Sequence, residues 1–236
     1  MKRLFLVPAL LLCALISQAY NKYEFLLGLR GGVGGSFYRY REINTNYGSF
    51  TGNATQISNG IAIPAKGEVL FGVKGFRMGY QFSYTHGIYK NFKRDLDNNP
   101  TGVADYVDSA QNCRRNLFAH FFIMEYSIPI AAKGKCLMAT TPFFGIGGFA
   151  GTRVNFGSDG ETVDKKYYKE ELKKGSRLAL TAGLGFEFTV RRFCFMLAPT
   201  YTFYKLKPNN FPEDHGAIHQ VTLDLAFRLN LLKPRY

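Results

Sequence analysis

Charged side chains stand singly inside stretches that are otherwise apolar or rich in small residues: Arg30, Glu68, Lys74, Glu125, Arg153, Arg177, Glu187, Asp224 and Arg228. Acids and bases both occur. They can neutralise one another as a stack of ion pairs, or form a gate or proton path. A charge left unpaired away from water is costly, which favours the paired arrangement. His86, His120, His215 and His219 are scattered, and none lies in a local set with a serine and a carboxylate. Cys113, Cys136 and Cys194 have no C-x-x-C spacing, so they read as thiols without metal chemistry. No cofactor or metal motif and no local catalytic motif is present, and the expectation is a noncatalytic protein. The enzymatic alternative is a lipid-modifying site assembled from several strands.

The charges lie in stretches of period two. In residues 176–190, SRLALTAGLGFEFTV, Leu178, Leu180, Ala182, Leu184, Phe186, Phe188 and Val190 share one parity. Arg177, Thr181, Gly183, Gly185, Glu187 and Thr189 take the other, as expected of a strand with one apolar face. The pattern recurs from Phe25 to Phe37, Val69 to Val73, Met78 to Ile88, Leu137 to Phe156, Phe193 to Phe203 and Val221 to Leu229. A further strand, Asn116 to Pro129, is apolar on both parities. Glu125 and Ser127 there assign the odd residues to the polar side.

Before these strands, Lys2 and Arg3 precede an apolar run from Leu4 to Ile16, and Ser17-Gln18-Ala19 offers small residues for cleavage. Residues 1–19 therefore read as a secretory signal peptide and 20–236 as one domain. Counts of Gly 25, Phe 22 and Tyr 15 agree with an all-β chain.

Connections alternate. Those near Gly75-Phe76, Ile130 to Lys135 and Arg191-Arg192 are tight, whereas Arg39 to Ala65, Lys90 to Arg115, Gly157 to Gly175 and Lys205 to Gly216 read as long polar loops. Eight strands so joined predict an antiparallel transmembrane β-barrel with short periplasmic turns and long extracellular loops. A soluble eight-stranded barrel is also conceivable, with its apolar face inward. Side-chain volume favours the membrane. The apolar face is bulky with Phe and Leu, while the other is mainly Gly, Ala, Ser and Thr, as a narrow lumen requires.

The formal charge of +13 suggests nucleic acid, but its distribution does not. Lys22, Lys74, Arg77, Lys133, Lys135, Arg191, Arg192, Lys233 and Arg235 fall at the short-turn end, where a basic rim suits anionic lipid or a periplasmic protein partner. Outer-membrane lipids are thus the expected surroundings, and the outer membrane the expected location.

Tyr126-Ser127-Ile128-Pro129 followed by Lys133, Pro142 and GIGGFAG at 145–151 resembles the central block of the porin-family small outer-membrane β-barrels that include PorT-like proteins. In that family an Ile-Pro pair commonly ends the fourth strand and a glycine-rich fifth follows. GLGFEF at 183–188 and TLDLAFRL at 222–229 agree in part. Where the family often has Asp and Gly before its G-x-G strand, this chain has Arg177 and Ala179. In the last strand it has Ala226 and Leu229 in place of Gly and Phe. The resemblance implies an outer-membrane protein, and for some members a role in type IX secretion.

Overall fold

The computed structural model describes residues 23–47, 50–96, 106–108, 112–133, 136–156, 162–163, 178–206 and 215–232. Residues 1–19, read above as a signal peptide, lie outside them. The described elements are all strands: β1 Glu24–Tyr47, β2 Phe50–Val73, β3 Phe76–Leu96, β4 Tyr106–Asp108, β5 Asn112–Tyr126, β6 Ile128–Lys133, β7 Cys136–Phe156, β8 Thr162–Val163, β9 Leu178–Val190, β10 Phe193–Leu206 and β11 His215–Asn230. Each of the long strands pairs antiparallel with its sequence neighbours, and β1 pairs with β11 from Leu26↔Asn230 to Arg41↔His215. The sheet therefore closes. With β6 continuing β5 beyond Ser127, and with β4 and β8 short additions, it is an eight-stranded antiparallel barrel.

Closure follows from what the strands expose. Leu29, Val33, Phe37, Phe82, Phe186, Phe195 and Leu225 point outward, so an edge would leave unpaired backbone groups beside an apolar surface. The odd residues of β5 do face inward, as Glu125 and Ser127 suggest. At Ser127 the ladder with β3 ends in a bond from its N–H to the Gly75 carbonyl at 2.8 Å. Pro199, which has no N–H, coincides with a gap in the β9–β10 pairing between Phe186↔Leu197 and Gly183↔Thr200.

Arg39 to Ala65 is not a long loop: β1 continues to Tyr47 and β2 begins at Phe50. Likewise β3 extends to Leu96, and β4 pairs with it. Strands of 24 residues are more than twice what a bilayer crossing needs, so the barrel continues past its apolar band at this end.

The opposite end turns tightly. Lys74 and Gly75 both have positive φ, 50° and 84°, the two-residue hairpin geometry that favours Asn-Gly. Lys74→Asn is expected to raise stability by about 0.5–1 kcal/mol, because lysine pays the Cβ strain that asparagine tolerates. Urea titration of the refolded protein checks this, and a lower midpoint would count against it.

Candidate functional site

The barrel interior near the tight turns is an ionic cluster. Arg77 enters from β3, one residue from its hairpin. Its Nε donates to Glu24 Oε2 at 2.6 Å and its Nη1 to Glu125 Oε1 at 3.1 Å, while Nη1 and Nη2 grip Glu187 at 2.6 and 3.0 Å. Arg228 on β11 binds Glu125 with two nitrogens, both at 2.8 Å, and its Nε donates to Glu68 Oε1 at 2.5 Å. Two guanidinium groups thus tie six strands together, β1, β2, β3, β5, β9 and β11, through four carboxylates.

A second tier begins where Glu68 also accepts from Arg30 Nη2 at 3.2 Å and from Gln81 at 3.0 Å. Lys66 Nζ reaches Asp224 Oδ2 at 2.6 Å, and Thr200 and Thr222 donate to the same carboxylate at 3.1 and 2.9 Å. Every carboxyl-bearing side chain described, Glu24, Glu68, Glu125, Glu187 and Asp224, is buried here. Charge-assisted bonds from Arg forks suit this geometry better than a lysine's single ammonium point.

Small residues make the room. A Cβ on Gly28 would come within 2.8 Å of Arg228 Cγ and 2.9 Å of Glu68 Cγ, and one on Gly72 within 2.8 Å of Arg77 Cγ. Further from the turns the interior is not small. Tyr38, Tyr89, Leu117, Phe121, Phe149, Tyr204 and Ile218 fill it, with Phe149 and Tyr204 packed edge-on at 5.1 Å. Arg115 lies 3.7 Å above the Tyr38 ring. An aromatic plug therefore sits on the ionic one, where the sequence suggested mainly Gly, Ala, Ser and Thr with isolated charges.

Of the charges singled out by sequence, Arg30, Glu68, Glu125, Glu187, Asp224 and Arg228 meet inside the barrel. Lys74 does not, since it belongs to the exposed turn after β2. Arg153 is on β7, but its side chain is outside the described set, and Arg177 lies outside the described residues. Glu24, Lys66 and Arg77 are members that sequence reading missed. Arg77 alternates against Met78 and Tyr80, so its parity alone places it inside; its closeness to the hairpin suggested the rim. Lys66 fell between the loop read to Ala65 and the strand read from Val69, and was assigned to neither.

Outside, the band ends in polar aromatic contacts. Tyr84 and His86 both reach Asn116 Oδ1, at 3.2 and 2.7 Å, and Tyr201 Oη meets His219 Nδ1 at 2.6 Å. Such side chains suit the boundary between hydrocarbon and headgroups. Among the described residues, no cluster of His, Cys, Asp and Glu could hold a metal ion.

No family model matches the chain, and no curated protein does. Among solved structures, Neisserial surface protein A (NspA) is similar over 89% of this chain and 98% of its own, at 7% identity and a TM-score of 0.37. The outer membrane protease OmpT from Escherichia coli is similar over 88% and 97%, at 8% identity and a TM-score of 0.40. The barrel assignment rests on the strand pairing of this chain itself.

Proposed function

We propose that this is an integral outer-membrane protein, exported by cleavage of residues 1–19, and that it serves as a noncatalytic surface or scaffold barrel. The single observation carrying this reading is the division of side chains between the two faces. All described carboxylates are buried within, whereas the outer wall presents Leu29, Val33, Phe82, Phe186, Phe195 and Leu225. In water that wall would be an apolar patch far beyond what monomers expose. In a bilayer it is the required surface.

Among the described residues the interior is occupied by the ion pairs and by the aromatic layer, which supports a barrel closed to water and ions. Planar-bilayer recordings of the refolded protein are expected to show little or no stable conductance. Large, long-lived channels would contradict this. The insertion itself is tested by fractionation: the protein belongs with the outer membrane and migrates differently in gels before and after heating. Recovery in the soluble periplasm without a heat-shifted band would overturn the reading.

A second reading, a component of a secretion machinery of the PorT-like kind, draws on the exposed cations Lys74, Lys133 and Arg191 at the turn end. A deletion strain separates these two readings and the lipid-modifying alternative. Loss of secreted proteins supports the machinery role, altered lipid A supports a lipid-modifying enzyme, and neither supports a scaffold.

A further inference from the structure

We infer that the outer wall of β10, β11 and β1 carries a binding site for a phosphorylated glycolipid of the outer leaflet. This inference rests on the membrane reading above. Strand register places Lys205 beside Ala217, and Ala217 beside Arg39, in one row of outward-facing residues. Both cations are exposed. Two strand spacings separate their backbones by roughly 10 Å, with only a methyl group between them. Such a gap admits a phosphate that both cations can touch.

The next row toward the turns is Phe203, His219 and Phe37, also facing outward. The His219 ring lies 5.2 Å from Phe203 and 6.0 Å from Tyr201. Below the cations there is thus an aromatic shelf against which acyl chains and the saccharide can pack, and the apolar band continues beneath it.

Height fixes the leaflet. From Phe25 to Phe37, at about 3.3 Å per residue and a tilt near 40°, the wall climbs roughly 30 Å from the turn end. Arg39 and Lys205 then stand at the far headgroup level, on the side opposite the short turns. Charge complementarity selects an anion, because no carboxylate among the described side chains lies on the outer wall. A membrane-embedded anion with several chains, rather than a soluble phosphate, matches cations placed directly above an apolar wall.

The test uses the full mature protein refolded in zwitterionic micelles, with purified lipopolysaccharide as the probe and the thermal unfolding midpoint as the readout. The parent should gain stability saturably. Arg39→Gln with Lys205→Gln should need about thirtyfold more lipopolysaccharide for the same gain, each cation near a charged headgroup being worth about a factor of five. Ala217→Glu, which keeps both cations but fills the gap with a carboxylate, should lose the gain altogether. Lys133→Gln with Arg191→Gln, at the other rim, should match the parent. Dephosphorylated lipopolysaccharide and phosphatidylglycerol should do no better than the double variant does with the intact probe.

Equal responses from the parent, the double variant and Ala217→Glu would overturn the site. Phosphatidylglycerol acting as well as lipopolysaccharide would overturn the glycolipid assignment in favour of general headgroup attraction. A parent that folds without responding overturns the site but leaves the barrel standing, whereas a parent with no heat-shifted folded form overturns the membrane reading too.

Discussion

Arg77→Met is expected to destabilise the folded barrel by about 3–5 kcal/mol, the cost of breaking a buried ion cluster from one side. The guanidinium is buried and bonds Glu24, Glu125 and Glu187 together. Methionine leaves Glu187 with Thr141 and Thr189 as its remaining donors, at 3.1 and 3.0 Å. Among the described residues, Arg77 is the cation that grips Glu187. A double-mutant cycle isolates the pair. Arg77→Met combined with Glu187→Met should cost clearly less than the sum of the single changes, since the second removes a charge the first strands. Additive costs in urea titration would mean that the two do not interact.

Leu184→Arg is the second large effect, about 2–4 kcal/mol for folding into lipid vesicles. Leu184 points outward from β9 opposite Pro142 of β7, near the middle of the apolar band. An arginine there must enter hydrocarbon or bend its chain to the boundary. Leu184→Ala, which adds no charge, should cost far less. An outward position that meets water would tolerate Leu184→Arg, so a vesicle-folding midpoint equal to the parent's would refute lipid contact at Leu184.

The two faces of each strand were legible because side-chain direction alternates and the outer and inner solvents differ so sharply. Phe186 and Glu187 are adjacent in sequence, and one is exposed while the other is buried. That signal fades once both faces are polar. Beyond Arg39 the chain reads YREINTNY, with no apolar parity, although β1 continues through it to Tyr47. Hydrogen bonding to β2 holds it extended there, from Tyr40↔Gln56 to Tyr47↔Phe50, and local sequence carries no trace of that pairing. The same holds for the ion pairs. Parity says that Glu68 and Arg228 face inward, but they are 160 residues apart, and which cation meets which acid depends on barrel register. The aromatic plug was hidden for a related reason. Tyr38, Tyr89 and Tyr204 lie on parities that read as polar, in segments assigned to loops or strand ends.

The central claim is that the bulky face meets lipid and the narrow face is the interior. Phe143 and Phe144 test it most directly, being consecutive on β7 yet 5% and 43% exposed. Phe143 projects inward beneath Arg30, 4.7 Å from its guanidinium carbon, in space left by Gly183. The chain contains no tryptophan, so Phe143→Trp and Phe144→Trp each place one fluorophore against a dark background. In vesicles of brominated lipid, Phe144→Trp should be strongly quenched and Phe143→Trp nearly unaffected, both variants being folded by the heat-shift criterion. Equal quenching, or quenching of Phe143→Trp alone, would contradict the account.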